Sequence, residues 1–504
     1  MPSQLLRTNA VTGPVEMRET GQNPLARSAH WANEPFPCQG LAVSRVLAYA
    51  CASVAFLFVN QGGLVGNIVF FLIAAAMMLG SPMSALMGFT CAVLALTANT
   101  AFVAKSIAFT FSRVLSVGLF ATRFGMTGRL SFVRTPTYIA LTVFCLAAAG
   151  CSIVGGYFTH IALMKLMVFW VGMTGFFAFV AVIRERRIDT TEWFVSQTLA
   201  VVVLSALSVV LGVSQNFRGE AVDHGLYNLA FYHSQTAGPI FALLIVYLTC
   251  VLLFAGHRNR WVCLPILGFL VYALFLTRSR TGAGTLFAGL AVLTFLAIVW
   301  GRGRRFSIRL NYSRGFIVAA CIAMALGAVL YDLSTRGSLS AGIRSFVVKS
   351  QQNVEEVVAA DILSSRKALI DRGWENFSQS PLVGIGFGVS TDQRFRDTAT
   401  IFYAPVEKGF LPTALLEEVG LIGATAFVGF LIAMFSSLIS ARNIPGVAMF
   451  ASLLVLNLGE AGIFALGGHA AYMWLFVIGG ILLGDRCTTT VRWDSGRAAV
   501  PSSP

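Results

Sequence analysis

Apolar and polar residues alternate along this chain in long blocks. A membrane-spanning helix takes about 20 mostly apolar residues, and thirteen apolar runs approach or reach that length. The runs lie at 44–60, 64–80, 84–103, 138–157, 161–183, 194–213, 237–255, 261–277, 283–300, 315–331, 411–438, 446–465 and 470–484. This pattern predicts an all-α polytopic membrane protein.

Composition supports that fold class. Of the 504 residues, 56% are hydrophobic and 12% are charged, whereas about 25% are charged in an ordinary soluble domain. A large water-soluble enzyme is therefore excluded. A net charge of +14 would by itself suit a nucleic-acid binder. In a membrane protein, however, basic residues gather on cytoplasmic loops, so we expect membrane lipids as partners and no nucleic acid.

The basic residues also predict the sidedness of the loops. From residue 138 onward every second loop is basic, beginning with Arg184, Arg186 and Arg187 after the fifth run. By the positive-inside rule the loops between them face outward, at 214–236, 278–282, 332–410 and 466–469. Both termini are expected in the cytoplasm, which requires a further span within 105–121 or a re-entrant helix. The total is then 12–14 transmembrane helices.

Five segments follow from this reading. They are a disordered cytoplasmic tail (1–43), transmembrane helices (44–331), a long outer loop (332–410), C-terminal transmembrane helices (411–484) and a cytoplasmic tail (485–504). The long loop holds nine of the 22 acidic residues. Apolar residues at helical spacing predict an amphipathic helix over 353–378, and Gly373-Trp374 near its end predict a bend at the lipid interface.

Arg278 and Arg280 stand between two spans at the predicted outer face. They could simply reach lipid phosphates as anchors. Arginine near a span is costly, however, and usually marks a functional site. These two also lie opposite the basic inner loops, and the planar guanidinium suits phosphate or pyrophosphate.

A second outer loop adds polar groups just before a span, namely Arg218, His233 and Gln235. A single histidine there is more often a hydrogen-bonded structural group. Two histidines, an arginine and a glutamine within this short stretch make a polar site about as probable as a structural role.

The stretch from Ser380 to Gly388 is rich in glycine. It lacks the strand–turn–helix setting and the Gly-Lys-Ser/Thr ending of nucleotide-binding loops. We interpret it as a tight, flexible turn that lets the backbone approach a ligand or a neighbouring segment.

Carboxylates cluster where the next span begins. Glu407-Lys408 stand directly before it, and Glu417-Glu418 lie within its first turns. Carboxylates inside a span are candidate functional groups. The structural alternative is that a glutamate pairs with Lys408 or Arg280.

At these positions the sequence resembles the O-antigen ligase and O-antigen polymerase superfamily, which includes exopolysaccharide polymerases. Three features in order carry the resemblance. They are Ser279-Arg280, a long outer loop with Ser365-Arg366, Gly373-Trp374 and the glycine-rich stretch, and Leu416-Glu-Glu-Val-Gly-Leu-Ile-Gly423 opening the next span. The resemblance covers roughly residues 195 to 440.

The resemblance implies a GT-C-like fold in the bacterial inner membrane, with the outer loops in the periplasm. It also implies transfer of glycan from undecaprenyl pyrophosphate to an acceptor glycan or lipid. We expect Arg278, Arg280 and Glu407 to be catalytic, with the arginines holding the pyrophosphate. Substrate-binding residues would be Arg218, His233, Gln235, Arg366, Lys408 and Glu417.

One position departs from the superfamily pattern. Many members carry a His-Asn pair at the end of the long loop, where the histidine is the proposed general base, and here Glu407-Lys408 stand in that place. A carboxylate could abstract the same proton, so Glu407 is the expected base and Glu417 the second candidate. Since the chain has no Asp-x-Asp pair, we expect no metal and no cofactor.

Alternative functions remain. The main one is a transporter of a lipid-linked glycan or an anionic solute, although no internal repeat supports it. A sensor would need a larger cytoplasmic domain. Polymerase and ligase cannot be separated from this chain, because they differ only in the acceptor. A flippase and a chain-length regulator encoded nearby would favour a polymerase.

Overall fold

A computed structural model describes residues 41–99, 101–103, 107–127, 130–213, 229–231, 234–255, 259–277, 279–301, 364–389, 409–459 and 462–497. The chain divides into two compact units. One unit, Pro37–Thr488, contains the helix bundle. The other comprises Met1–Phe36 and Thr489–Pro504, and its described residues are helical and end at Arg497.

The described part is helical, with one isolated antiparallel bridge between Ala98 and Phe231. The α-helices are α1 Val43–Phe58, α2 Gly63–Leu79, α3 Pro82–Thr97, α4 Ile107–Thr127, α5 Pro136–Gly155, α6 Thr159–Arg186, α7 Thr191–Val210, α8 Ser234–Phe254, α9 Cys263–Thr277, α10 Arg280–Gly301, α11 Ser364–Gln379, α12 Leu411–Ser440, α13 Ile444–Asn457 and α14 His469–Arg497. The predicted all-α class is confirmed.

Twelve of the thirteen predicted runs fall on helices, and the run at 315–331 lies outside the described residues. Within 105–121, where a further span was one of two alternatives, the described residues 107–121 are helical and belong to α4. Eight helical stretches of the described chain are long and apolar enough to cross a membrane, and α3 and α13 are shorter apolar helices. The protein is thus a multi-pass membrane protein, while the total of 12–14 spans stays a prediction.

Helix α13 ends before the predicted residue 465 because Asn457 turns the chain. Its side-chain oxygen accepts hydrogen bonds from the backbone N–H groups of Gly462 (3.0 Å) and Ile463 (2.7 Å). The indole N–H of Trp474 binds the carbonyl of Ile463 at 3.1 Å. The described residues of this connection, 458–459 and 462–468, are therefore fixed to the bundle.

Two helices lie at the centre of the bundle. Nearly every residue of α8 between Ala237 and Leu252, and of α14 between Ala470 and Leu483, is buried. The ring of Phe476 on α14 contacts Tyr247 on α8, with ring centroids 5.5 Å apart. A helix that is apolar on all sides is stable when other helices surround it.

Ion pairs join the end of α6 to α14. Arg184 binds Asp485 at 2.7 Å, and Arg486 binds Asp189, in the turn after α6, at 2.5 Å. Burial alone would raise the pKa of Asp189, but the Arg486 guanidinium and the bonds to Thr191 hold it below its ordinary value. The loop after α6 and the segment around Arg486 thus lie at one end of the bundle, as the charge alternation predicts.

Helix α12 is broken at Gly420, where φ is 61° and ψ is −166°. In an unbroken α-helix the N–H of residue i binds the carbonyl of residue i−4. At this break, Leu421 and Ile422 instead donate to the carbonyls of Pro381 (2.9 Å) and Leu382 (3.2 Å). These acceptors belong to residues Ser380–Val389, which we call the glycine segment.

The exchange is reciprocal. The carbonyls of Glu417 and Glu418, which would have accepted the two missing helical bonds, accept from Ile385 and Gly386 of the glycine segment, each at 2.9 Å. Irregular backbone is tolerated at membrane depth only where it is buried in protein or lines a cavity. The glycine segment therefore replaces the helical bonds that α12 loses.

We expect Asp189→Asn to lower the thermal unfolding temperature at pH 7, through a loss of about 1 kcal/mol. Because folding lowers the pKa of Asp189, its stabilising contribution is present above the unfolded pKa of about 3.9. That contribution is lost as the pH falls through the folded pKa. In detergent the difference in unfolding temperature between the two proteins should therefore shrink as the pH falls below about 3.9, and a difference that does not shrink would contradict the pairing.

We expect Gly420→Ala to lower the unfolding temperature in detergent by several degrees. The added Cβ would lie 2.3 Å from the carbonyl carbon and oxygen of Leu382, and a left-handed φ costs about 1–2 kcal/mol for alanine. Gly429→Ala in the same helix is the matched control, since a Cβ there meets nothing within 4 Å. Equal unfolding temperatures for the two variants would contradict the proposed replacement of helical hydrogen bonds by bonds to the glycine segment.

Candidate functional site

The glycine segment packs against α12, α5 and α6 with the tight backbone that its sequence predicts. Gly384, Gly386 and Gly388 have φ values of 68°, 117° and 66°, which side-chain-bearing residues rarely adopt. A Cβ on Gly384 would lie 2.5 Å from the carbonyl carbon of Glu418. Here glycine is needed both for the φ angle and for the close approach of two backbones.

The backbone of this segment is hydrogen-bonded to its neighbours. The N–H groups of Gly384, Ile385 and Gly386 bind backbone carbonyls at 2.8–2.9 Å. Phe387 donates to the hydroxyl of Ser152 at 3.1 Å. Because these N–H groups have protein partners, the segment acts as a fixed part of the helix packing.

Glu417 is buried where α11 crosses α12, with 5% of its surface exposed. Its Oε1 accepts a hydrogen bond from the side-chain amide of Asn376 at 2.8 Å. Gly373 lies beside this contact, and a Cβ there would be 3.4 Å from Oε2 of Glu417, an ordinary van der Waals distance. The sequence pointed to Glu417 but not to Asn376, its partner on α11.

The predicted amphipathic helix is found in part, as α11, and residues 353–363 lie outside the described residues. The bend expected at Gly373-Trp374 is wrong, because the helix continues through both residues to Gln379. Gly373 lies within α11 on the side that faces α12. Trp374 is 56% exposed, as an aromatic residue at a lipid interface would be.

Glu418 and Lys165 both form hydrogen bonds with Gly388 of the glycine segment. Gly388 donates its N–H to Oε2 of Glu418 at 2.8 Å, and its carbonyl accepts a hydrogen bond from the ammonium of Lys165 on α6. Sequence reasoning missed Lys165, which lies far from the other candidates in the chain. A charged residue inside an apolar run was the signal that could have found it.

Arg280 is the first residue of α10. The preceding Ser279 begins the helix, since its hydroxyl accepts a hydrogen bond from the N–H of Gly282 at 3.0 Å, as serine commonly does at this position. Nε of Arg280 is buried and has no hydrogen-bond partner. A buried donor without a partner costs about 1–3 kcal/mol. A hydrogen-bond acceptor at Nε of Arg280 would remove that cost.

The N-terminal ends of α8 and α10 meet beside Arg280. Gly238 in the first turns of α8 lies against Ser279, and a Cβ on Gly238 would be 2.1 Å from the Cβ of that serine. A Cβ on Gly282 would be 2.8 Å from the carbonyl carbon of Gly238. The structure thus brings together the ends of the two outer loops that the sequence proposed for anion binding.

Several predicted site residues lie outside the described chain, namely Arg218, His233, Arg278, Glu407 and Lys408. Gln235 and Arg366 lie in the first turns of α8 and α11, where the backbone is described and the side chains are not. Their roles stay predictions.

The described residues between α13 and α14, 458–459 and 462–468, contact both parts of the site. A Cβ on Gly459 would lie 2.3 Å from the side chain of Thr281, next to Arg280. Further along the loop, Phe464 contacts Phe387 of the glycine segment, with ring centroids 5.1 Å apart. Arg280 and the buried carboxylates are therefore at the same end of the bundle.

This end of the bundle combines an arginine without a partner at Nε, two helix N-termini and two buried carboxylates. Helix N-termini and guanidinium groups both favour an anion. The described residues include no group of three histidine, cysteine, aspartate or glutamate side chains arranged to hold a metal ion. The geometry favours an anionic, phosphate-like ligand near Arg280.

Comparison with known families gives one match. Residues 265–428 match the O-antigen ligase family, which is about a third of the chain. The matched region runs from α9 into α12 and includes Arg280, the glycine segment and Glu417-Glu418. No curated protein matches the chain.

The match covers the motifs that carried the resemblance, in the same order along the chain. Members of this family are membrane enzymes of polysaccharide assembly that act on lipid-linked glycans. The described helices provide the multi-pass membrane scaffold that such an enzyme requires. Residues 265–428 are therefore similar to the O-antigen ligase family, and this match supports the resemblance to the O-antigen ligase and polymerase superfamily.

Proposed function

We propose that this protein transfers a glycan from undecaprenyl pyrophosphate to a hydroxyl group of an acceptor sugar. The reaction takes place at the periplasmic face of the bacterial inner membrane, with both termini in the cytoplasm. The observation that supports this most strongly is Arg280. It stands where the N-termini of α8 and α10 meet, and its buried Nε lacks a hydrogen-bond partner.

The donor brings its own leaving group, so the residues need only to hold it and to activate the acceptor. As the acceptor oxygen bonds to the anomeric carbon, the bond from that carbon to the phosphate oxygen breaks. The bonding electrons leave with the undecaprenyl pyrophosphate. Arg280, with Arg278 and Arg218, stabilises the negative charge that develops there.

The acceptor hydroxyl must lose a proton in the same step. Glu407 is the proposed base and takes that proton as the new glycosidic bond forms. Glu417 is the second candidate, because it is buried at the same end of the bundle as Arg280. Gln235, Arg366, Lys408 and His233 are proposed to bind the sugars or the phosphates. No metal or cofactor is part of this proposal.

The broken helix α12 could also suggest a transporter, since transporters often use broken helices to bind substrates. In those proteins the unwound backbone groups coordinate the substrate. Here the glycine segment occupies the corresponding groups of α12. The break therefore serves the protein's own packing, and the transferase is the better-supported function.

We expect Arg280→Ala to reduce glycan transfer by about 100-fold or more, because removal of one donor that stabilises transition-state charge typically costs that much. The measurement is transfer from a lipid-linked glycan in membranes at equal protein levels, together with surface polysaccharide in cells. Arg134→Ala is the matched control, since Arg134 is exposed and lies at the predicted inner end. Normal polysaccharide from Arg280→Ala cells would overturn the proposal.

We expect Glu407→Gln to lower kcat by about 100-fold while KM for the lipid-linked donor changes little, because the amide cannot accept the proton. The assay should offer two acceptors separately, a second lipid-linked glycan and a lipid A core. Use of the first would indicate a polymerase and use of the second a ligase. Unchanged kcat in Glu407→Gln together with a large loss in Glu417→Gln would move the role of base to Glu417.

A further inference from the structure

Gly388 is held from both sides by charged groups on different helices. The ammonium of Lys165 on α6 donates to its carbonyl, and its N–H donates to Oε2 of Glu418 on α12 at 2.8 Å. The Lys165 side chain lies along this glycine, since a Cβ there would be 3.0 Å from Cδ of the lysine. One residue of the glycine segment thus connects a cation and an anion.

The placement of these two charges argues against simple alternatives. A lysine in a membrane helix commonly extends its ammonium to the lipid headgroups, but Lys165 directs its ammonium to a carbonyl of the glycine segment. Glu418 is 7% exposed, and burial of a carboxylate is costly unless it is paired and hydrogen-bonded. Hydrogen bonds to charged groups are about twice as strong as neutral ones.

Gly388 is linked to the break in α12 through neighbouring residues of the glycine segment. Gly386, two residues before Gly388, donates its N–H to the carbonyl of Glu418, and Ile385 donates to the carbonyl of Glu417. A displacement of Gly388 would therefore disturb the bonds that fix the backbone of Glu417. Through the Asn376 contact, the disturbance would also reach α11.

We propose that Lys165 and Glu418 form a clamp on Gly388 and are positioning residues of the transfer reaction. The clamp fixes the glycine segment against the broken helix and so holds Glu417 in place at the end of the bundle where Arg280 lies. This inference rests on the proposed function for its catalytic consequence. The clamp itself can be tested without any substrate.

The first test measures amide hydrogen exchange of the purified full-length protein in detergent. In Lys165→Met the amides of residues 386–389 should exchange about ten to one hundred times faster than in the wild type, because a charge-assisted hydrogen bond is lost. Lys165→Arg should restore slow exchange. His160→Met is the matched control, since it replaces an exposed polar residue of the same helix. Equal exchange in Lys165→Met and the wild type would overturn the clamp.

The second test measures transfer kinetics. Lys165→Met and Glu418→Gln should each lower kcat about tenfold or more with little change in KM for the donor, and Lys165→Arg should recover most of the activity. The double variant should lose no more than the worse single variant, since both residues act through one glycine. Additive losses, or kcat within twofold of the wild type, would overturn the positioning role.

The outcomes separate the two proposals. If Arg280→Ala abolishes transfer while Lys165→Met remains fully active, the positioning role fails and the proposed function stands. If the wild type transfers no glycan from a lipid-linked donor, the proposed function fails. The amide exchange rates of residues 386–389 still test whether Lys165 holds Gly388 in place. Unfolding temperatures of each variant show whether a loss of kcat reflects loss of the folded protein.

Discussion

The break in α12 at Gly420 would leave four backbone groups without partners, two N–H and two carbonyl groups, if nothing replaced the helical bonds. Within a membrane such groups cannot form hydrogen bonds with water, and each unpaired group would cost several kcal/mol. The glycine segment satisfies all four. The positions of α11, α12 and the adjoining ends of α5 and α6 therefore depend on this one exchange of hydrogen bonds.

Charged residues near the exchange are held by specific contacts. Glu417 and Glu418 lie in the last turn before the break, and their side chains accept hydrogen bonds from Asn376 and Gly388. Arg280 differs, because its Nε has no partner. The same end of the bundle thus contains carboxylates used in packing and a guanidinium open to an anion.

Small residues allow the close contacts on which the site depends. Gly238 lets the start of α8 meet Ser279 before α10, and Gly459 lets the connecting loop reach Thr281. Helix association in membranes relies on packing between small residues, because the lipid is as apolar as the helices. These glycines let the described ends of the two predicted outer loops converge.

The sequence by itself determined the all-α membrane class, the helix positions and the grouping of basic loops, because a span must be apolar and long and charges sort by side. It also identified Arg280 and Glu417, since charges are rare within apolar runs. The break at Gly420, the Asn376 contact and the contact of Lys165 with Gly388 were decided only by the tertiary structure. Each depends on which segments meet in space. Every residue has a backbone carbonyl that can accept a hydrogen bond, so the residue types in the sequence do not reveal such a contact.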